Sequence, residues 1–220
     1  RLVLVAPYLC YMRQDIDFHA GEAISQKVIG KLLAGVVDRV LTFNAHLHRT
    51  ADIRAVFPGI TCENLSAVRQ IAALLRQTLD PHTVVVGPDE ESLPLASALG
   101  DQLGLAHTVG HKVRRSDRNT TVMFANPASV AGHSTLLIDD IVSSGGTLMA
   151  CAQELHVAGA TYIDAVAVHA LFPATLLPAL SHSGIRSVKS TDSVPHPTNA
   201  IPLDATLADA LTEEATGTVA

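Results

Sequence analysis

The sequence is short of aromatic residues and of cysteines. It has no tryptophan, aromatic residues make up 4% of it, and its three cysteines are Cys10, Cys62 and Cys151. Their odd number, their scatter and the absence of a C-x-x-C pair argue against a disulfide framework and a cysteine-rich metal site. Reduced thiols in a cytoplasmic protein are expected. A core with so few large rings must be mainly aliphatic, which is typical of parallel sheets covered by helices.

Positive charge and long apolar runs are also scarce. Lys and Arg number 15 against 21 Asp and Glu, so the formal net charge is −6. A chain with this balance is not expected to bind nucleic acid. No apolar run approaches the roughly 20 residues of a membrane-spanning helix, and we expect neither a signal peptide nor a membrane segment. If this acidic chain binds phosphates, it must concentrate positive charge locally or use magnesium.

Hydrophobic residues make up 48% of the 220 residues, enough for a sizeable core. Short apolar runs alternate with amphipathic segments, which predicts βα units in an α/β fold of mainly parallel sheets flanked by helices. We place a boundary between residues 1–65 and 66–220. The chain opens directly on an apolar strand, Leu2–Ala6, and we therefore expect that an upstream segment is missing.

The elements can be placed approximately. Strands are predicted at Leu2–Ala6, Val36–Phe43, Val84–Val86, His107–Val109, Thr120–Phe124, Ser134–Ile138, Tyr162–His169 and Ile185–Lys189. Helices are predicted near 25–33, 66–79, 93–103, 148–159, 176–180 and 203–211. The first helix would be capped by Ser25 and would bury four apolar residues, Val28, Ile29, Leu32 and Leu33. Pro58–Asn64 and Gly110–Arg118 are predicted as loops, and Ala125–His133 as a hairpin connection.

One stretch carries the clearest chemistry. The strand ending at Ile138 is followed by Asp139 and Asp140, then by Ser143-Ser144-Gly145-Gly146-Thr147, where a helix begins. Glycines let the backbone turn sharply and approach a ligand, and the N–H groups at a helix start attract anions. Two acids beside a phosphate cradle suit the hydroxyls of a sugar or a bridging metal. A ribose 5-phosphate satisfies both halves of the stretch.

Ile138–Thr147 resembles the phosphoribosyl-diphosphate signature of the type I phosphoribosyltransferases. The resemblance implies that fold and a ribose 5-phosphate site formed by seven residues, Asp139, Asp140, Ser143, Ser144, Gly145, Gly146 and Thr147. It leaves the reaction open.

A second segment, Pro7–Lys27, narrows the family. Pro-Tyr-x-x-Tyr-x-Arg-Gln-Asp followed by Gly-Glu-Ala-Ile-Ser-x-Lys is similar to the ribose-phosphate diphosphokinases, a branch of the same fold. The resemblance implies two phosphoribosyltransferase-like halves, with the first one incomplete here, and a homo-oligomer, either a dimer or a hexamer. It also implies that Arg13 and Gln14 contact ATP, a role that suits the guanidinium fork of arginine.

The same resemblance implies a metal. His46 matches a histidine that contacts the magnesium of MgATP, and Asp89 matches a magnesium-binding acid of the pyrophosphate loop. The chain departs from the family at Asn44, where an Asp is common, and at Glu90-Glu91-Ser92, where basic or small residues are usual. Extra carboxylates repel a pyrophosphate unless a metal lies between them.

Lys112 and Arg114 lie in the densest cluster of positive charge, within Gly110–Arg118. They match the Lys and Arg of a mobile family loop, and this implies that they neutralise the transferring diphosphoryl group after loop closure.

The implied enzyme transfers the diphosphoryl group of MgATP to the anomeric hydroxyl of ribose 5-phosphate, with Mg²⁺ as cofactor and AMP as second product. Two alternatives stay open: a nucleobase phosphoribosyltransferase and a catalytically inactive regulatory relative. The sequence leaves undetermined the oligomeric state, regulation by phosphate or ADP, and the preferred nucleotide donor. It also leaves open whether the ATP site is complete without the missing segment.

Overall fold

The structure is a computed structural model that describes residues 1–17, 19–116, 119–124 and 126–215. The chain divides into two compact units, Arg1–Ser66, called unit 1, and Ala67–Ala220, called unit 2. The interpretation of these units as two phosphoribosyltransferase-like halves remains a prediction.

In its described residues, unit 1 is a small parallel sheet with one α-helix. Its elements are β1 (Val3–Val5), α1 (Ser25–Ala34), β2 (Arg39–Phe43) and β3 (Thr61–Leu65), with a 3-10 turn at Ile53–Ala55. The strands pair in parallel in the order β1-β2-β3. The central strand β2 has a neighbour on each side and is buried along its whole length.

The third strand was missed, since Pro58–Asn64 was predicted to be a loop. The sequence Thr-Cys-Glu-Asn-Leu lacks the apolar run that marks a buried strand. Pairing with β2 stabilises it instead. Arg39 of β2 is buried and donates hydrogen bonds to the carboxylate of Glu63 in β3, and Cys62 packs into the core of unit 1. Tertiary pairing has overridden local preference here.

The predicted inner face of α1 is wrong in part, because Leu33 packs against the core of unit 1 and Ile29 is half-buried, but the other two residues face outward. Val28 and Leu32 are 54% and 61% exposed, whereas Gln26 and Gly30 are buried. The helix passes so close to Val56 that a Cβ on Gly30 would lie 2.0 Å from the Val56 carbonyl oxygen. The smallest residue therefore decides which face turns inward. The cap is wrong as well, because Ile24 occupies that position without a side-chain hydrogen bond.

Unit 2 contains a seven-stranded sheet and five helices within the described residues. Its strands are β4 (Val84–Gly87), β5 (His107–Ser116), β6 (Asn119–Phe124), β7 (Ser134–Val142), β8 (Tyr162–Ala170), β9 (Ile185–Thr191) and β10 (Asn199–Ile201). Its helices are α2 (Val68–Leu75), α3 (Leu93–Leu103), α4 (Gly146–Val157), α5 (Leu177–His182) and α6 (Asp204–Ala215), with 3-10 turns at Glu90–Ser92, Pro127–Ser129 and Ala174–Leu176. The strand order is β10-β9-β8-β7-β4-β5-β6.

The neighbouring strands of this sheet pair in parallel, apart from β5 and β6, which are antiparallel. The core joins inward residues of the central strands to α4 and α5, as in the cluster that contains Leu137, Ala165, Leu155 and Leu180. The prediction of an α/β fold with mainly parallel sheets flanked by helices is confirmed.

Two predicted connections differ from the structure. Gly110–Ser116 is not a loop but the continuation of β5, because its backbone pairs antiparallel with β6. Ala125–His133 does not join a hairpin, because β7 pairs with β4 and β8 instead of β6. Gly110–Ser116, called the basic segment, therefore lies on a two-stranded arm at the end of the sheet.

None of the helices in the described ranges combines the length and the apolar character that a bilayer crossing requires.

Candidate active site

The predicted carboxylate pair lies on β7, at the carboxyl edge of the unit 2 sheet. Asp139 and Asp140 were predicted to follow the strand. They belong to it instead, because Asp139 still pairs with Ala167 of β8. Both side chains are half-buried. An Oδ1 atom of Asp139 accepts a hydrogen bond from the Asp140 N–H at 3.1 Å, and Asp140 Oδ1 accepts one from Ile141 N–H at 2.7 Å. These short-range bonds help to orient both carboxylates.

The turn after β7 leads directly into α4. Gly145 has a φ of +70°, the left-handed conformation that side chains disfavour, and a Cβ there would lie 2.7 Å from Leu176 Cδ2. The hydroxyl of Ser144 accepts a hydrogen bond from the Gly146 N–H at 3.4 Å, and Gly146 begins the helix. Within Ser143–Thr147 only Gly145 is buried. The segment therefore presents hydroxyls and helix N–H groups in the arrangement that binds a phosphate.

The loop after β4 carries Asp89 and lies beside β7, since β4 pairs with both β7 and β5. The Asp89 N–H donates to Ser92 Oγ at 3.2 Å, and the Ser92 hydroxyl donates to the Asp89 carbonyl oxygen at 2.6 Å. A Cβ on Gly87 would lie 2.4 Å from that Oγ atom. The loop is tight, and it keeps Asp89 half-buried.

Asp89 and Asp139 act on a common neighbour. Burial raises the pKa of the Cys151 thiol in α4, and the negative charges of Asp139 and Asp89 raise it further. Cys151 is therefore a neutral core residue. The charges of both carboxylates act on the same thiol, so this end of the unit 2 sheet is locally negative. A phosphate ligand here needs a compensating positive charge.

Glu90 was expected to repel a pyrophosphate. Its side chain is 72% exposed, and its Oε1 atom lies 2.6 Å from Nδ1 of His111 on β5. The contact gives this carboxylate a hydrogen-bonding partner on the neighbouring strand.

Lys112 and Arg114 occupy alternate positions of β5, with backbone partners Val122 and Thr120 on β6. The placement of these two side chains lies outside the described residues. Their predicted role remains a prediction.

In unit 1, Arg13 and Gln14 form an exposed turn after β1. Tyr11 has a φ of 65°, and the Gln14 N–H donates to the Tyr11 carbonyl oxygen at 3.1 Å. The residues on either side, Met12 and Asp15, are buried, so the turn is anchored while the intervening pair faces outward. Such a turn can present a guanidinium and an amide to a ligand.

A second loop of unit 1 follows β2 and contains His46. Asn44 has a φ of 38°, an unusual value for a residue other than glycine, and it redirects the chain as the strand ends. The Ala45 N–H donates to Asn64 Oδ1 at 2.8 Å. His46 is buried, and its ring centroid lies 3.8 Å from that of His48.

Two connections join these loops of unit 1. Arg49 donates from Nη1 to both carboxylate oxygens of Asp15, at 3.0 and 3.3 Å, and the Asp15 side chain is fully buried. Gln26 is the other connection. Its Nε2 donates to the carbonyl oxygens of Met12 at 3.1 Å and His46 at 3.4 Å, while its own N–H donates to the Gln14 carbonyl oxygen at 3.1 Å.

The sequence motifs give no role to Gln26, Asp15 or Arg49. Gln26 lies in a helix whose apolar neighbours were expected to face inward, and nothing local marks it as buried. The separation of 34 residues between Asp15 and Arg49 gives no sequence signal either.

In both units the candidate residues lie in or beyond the carboxyl ends of parallel strands, where open α/β sheets bind ligands. Unit 1 brings Arg13, Gln14 and His46 into two connected loops. Unit 2 brings Asp89, the carboxylate pair and Ser143–Thr147 to one edge of its sheet. The arrangement in unit 2 can hold a phosphate and accept hydrogen bonds from sugar hydroxyls.

Comparison with known proteins assigns this architecture to a class. Residues 62–182 match the phosphoribosyl transferase domain family. The crystal structure of phosphoribosylpyrophosphate synthetase from Mycobacterium smegmatis superposes with a TM-score of 0.84 at 24% identity, covering 99% of this chain and 72% of that one. The fold is therefore shared with that protein.

Relatives that are similar in sequence identify the family within this class. The ribose-phosphate pyrophosphokinase of Thermococcus kodakarensis is 31% identical over 201 residues, which cover 91% of this chain and 69% of that protein. The enzyme of the same name from Methanopyrus kandleri is 27% identical over 211 residues, covering 96% of this chain and 71% of that protein. The chain belongs to the ribose-phosphate pyrophosphokinase family of enzymes, as its sequence motifs predicted.

Proposed function

We propose that the enzyme transfers the diphosphoryl group of MgATP to the anomeric hydroxyl of ribose 5-phosphate. The hydroxyl oxygen forms a bond to the β-phosphorus of ATP, and the bond between that phosphorus and the α–β bridging oxygen breaks. AMP leaves with the bridging oxygen, and the hydroxyl proton passes to solvent. The products are phosphoribosyl diphosphate and AMP.

The observation that carries the proposal is the stretch from β7 into α4. Gly145, in its left-handed conformation, places the exposed hydroxyls of Ser143 and Ser144 next to the first N–H groups of α4. These groups bind the 5-phosphate, as helix N-termini bind other anions. Asp139 and Asp140, oriented on β7, accept hydrogen bonds from the ribose hydroxyls.

The nucleotide is bound in unit 1. Arg13 and Gln14 are exposed on a turn whose flanking residues are buried, so the turn is anchored while both side chains are accessible to a ligand. Arg13 binds phosphate oxygens or stacks on adenine, and Gln14 binds the base.

Charge compensation completes the proposal. Asp89 offers the carboxylate oxygen that Mg²⁺ prefers, and it lies on the negative edge where a phosphate needs a counter-ion. Magnesium bound there would screen phosphate oxygens from the acidic residues. Lys112 and Arg114 on the β5–β6 arm neutralise the charge of the transferring group. Phosphoryl transfer needs such charge neutralisation more than it needs covalent catalysis. We further expect a homo-oligomer, a dimer or a hexamer, which sedimentation would measure.

The test is a magnesium-dependent assay of AMP release on the full chain. AMP should form only when ATP and ribose 5-phosphate are both present. Lys112→Ala should lower turnover far more than it weakens ribose 5-phosphate binding, whereas Lys31→Ala, an exposed lysine of α1, should leave turnover unchanged.

Failure would be informative. If no AMP forms but phosphoribosyl diphosphate is consumed with a nucleobase, the protein is a transferase. If ribose 5-phosphate binds and neither reaction occurs, the protein is an inactive relative. Either result overturns the proposal.

A further inference from the structure

We propose that a cavity beneath α2, on the face of the unit 2 sheet opposite α4, binds a small monocarboxylate of about five non-hydrogen atoms, such as propionate. The cavity has a volume of about 120 Å³ and lies between the end of α2 and strands β7, β8 and β9. The exposed residues Thr78 and Arg186 border it, so it is accessible from solvent. No residue assigned to the proposed reaction lines this cavity, and the inference therefore goes beyond the proposed function.

The register of the three strands places the lining residues on one face. Leu136 of β7 pairs with Asp164 of β8, which pairs in turn with Ser187 of β9. Two residues further along, Val166 pairs with Lys189. Residues that are paired, or that are two apart on one strand, point to the same side of a sheet. The side chains of all five therefore face α2.

The cavity is separate from the phosphate-binding turn. Leu137 of β7 belongs to the core cluster that contains Leu155 of α4, so α4 covers that face of the sheet. Leu136 points to the opposite face, because successive strand residues alternate. An occupant of the cavity would therefore lie across the sheet from α4 and from the turn at Gly145.

Two of the charged side chains around the cavity neutralise each other. Arg186 donates hydrogen bonds to Asp164 from Nε to Oδ1, at 3.1 Å, and from Nη2 to Oδ2. The Ser187 hydroxyl donates to Oδ1 at 2.6 Å. Burial raises the pKa of Asp164, but the hydrogen bonds from Arg186 and Ser187 lower it overall. Both carboxylate oxygens are thus occupied, and the charged carboxylate is the counter-ion of Arg186.

Lys189 supplies the charge that remains unmatched. Its side chain is half-buried and lines the cavity. Within the part of the chain that the structure describes, its ammonium group has neither a hydrogen bond nor an ion-pair partner, and it acts on Asp164 only at longer range. A charge that is partly removed from water is stabilised by a partner of opposite sign. The cavity therefore favours an anionic group beside Lys189.

The other walls of the cavity are apolar, and they decide the rest of the ligand. Leu75, Leu79, Leu136 and Val166 line it with hydrocarbon. A short alkyl chain gains stability against such walls, whereas a hydrated inorganic anion does not. An apolar cavity of about 150 Å³ accommodates benzene, with its six carbon atoms. A volume of about 120 Å³ therefore suits about five non-hydrogen atoms, which is the size of propionate.

The test is a titration of the full chain with propionate, followed by NMR of labelled leucine and valine methyl groups. The methyls of Leu75, Leu79, Leu136 and Val166 should shift, with a Kd of about 1–10 mM for so small a ligand. Propionamide has nearly the same shape but no charge, so it should bind roughly tenfold more weakly or worse. Inorganic phosphate should leave these methyls unshifted. Sodium chloride keeps the ionic strength constant, because salt screens charges.

Three variants separate the contributions of charge and volume. Lys189→Met removes the charge but keeps the length of the side chain, and it should weaken propionate binding roughly tenfold or more. Lys31→Met, at an exposed position of α1, is the matched control and should bind normally. Leu79→Trp fills the cavity from a half-buried position and should abolish binding while all the charges stay in place. Circular dichroism checks each fold.

Equal affinity for propionate and propionamide would overturn the proposal, as would unchanged propionate affinity in a folded Lys189→Met or Leu79→Trp variant. Methyl groups that stay unshifted at roughly ten times the expected Kd would also overturn it. Shifts caused by phosphate and not by propionate would assign the cavity to inorganic anions instead. The outcome is independent of the AMP assay: a chain that binds propionate here but releases no AMP would refute the proposed function and leave the carboxylate site standing.

Discussion

The two units of this enzyme hold their candidate residues in different ways. In unit 2 the carboxylates of Asp139 and Asp140 are oriented by the backbone N–H group of the next residue. In unit 1 the loops are held by side chains remote in sequence, as in the pair of Asp15 and Arg49. A site built from neighbouring residues is visible as a motif, whereas a site built from distant ones depends on the fold.

The largest effect should come from the local site. Asp139→Asn combined with Asp140→Asn removes two charged acceptors, worth about 3 kcal/mol together, and so should weaken ribose 5-phosphate binding roughly hundredfold. Calorimetric titration measures this. Asp101→Asn, an exposed acid of α3, is the matched control and should bind normally. Unchanged affinity in the double variant would remove both acids from the site.

The next effect concerns the packing on which unit 1 depends. Gly30→Ala places a Cβ 2.0 Å from the Val56 carbonyl oxygen. This overpacking should lower the free energy of unfolding by about 1–3 kcal/mol, measured by denaturant titration. Gly35→Ala is the control, because a Cβ there lies 3.4 Å from its nearest neighbour, the Leu32 carbonyl oxygen. Equal stability of the two variants would contradict the close approach of α1.

A smaller loss, in ATP affinity, is expected when the hydrogen bonds of Gln26 that join the two loops of unit 1 are removed. Gln26→Leu keeps the volume of the side chain but removes its hydrogen bonds to the loops of Arg13 and His46. ATP affinity should fall by about tenfold because the loops lose their alignment, at a cost near 1.5 kcal/mol. Ribose 5-phosphate affinity should not change. The exposed Gln153→Leu serves as control. If both substrates weaken equally, the effect is one of general stability, and the distinction between the units fails.

The smallest effect lies away from the site, where unit 2 has a long-range ion pair of its own. Burial raises the pKa of Asp164, but hydrogen bonds from Arg186 and Ser187 outweigh it, so the pKa is lowered overall. A lowered pKa in the folded state stabilises the protein above the ordinary value of 3.8, and that stability is lost as pH falls through the folded-state pKa.

Asp164→Asn should therefore reduce stability at pH 7 by less than about 1 kcal/mol after solvent screening. The difference in stability from the wild type should shrink as the pH falls below the pKa of this carboxyl in the unfolded chain. Denaturant titrations at neutral and acid pH measure both quantities. Ribose 5-phosphate binding should be unaffected; a marked loss would show that long-range contacts also support the site of unit 2.

Elements marked by local sequence signals were predicted correctly, whereas elements that depend on remote residues were not. The helix Leu93–Leu103 has the predicted bounds, since its apolar pattern, its proline at the start and its glycine at the end are local signals. β3 was missed because its polar residues become a strand only beside β2. The stretch from β7 into α4 was found, although the strand runs four residues further than its apolar run, because β8 continues to pair with it.

The sequence by itself determined the fold class, the family and the turn at Gly145, because alternation of apolar segments and a compact motif depend on near neighbours. Only the tertiary structure decided which face of α1 is buried, that the basic segment lies on a β-arm, and that Gln26 connects two loops. These features depend on which remote residues meet, and the free energy of such contacts has no counterpart in the local pattern.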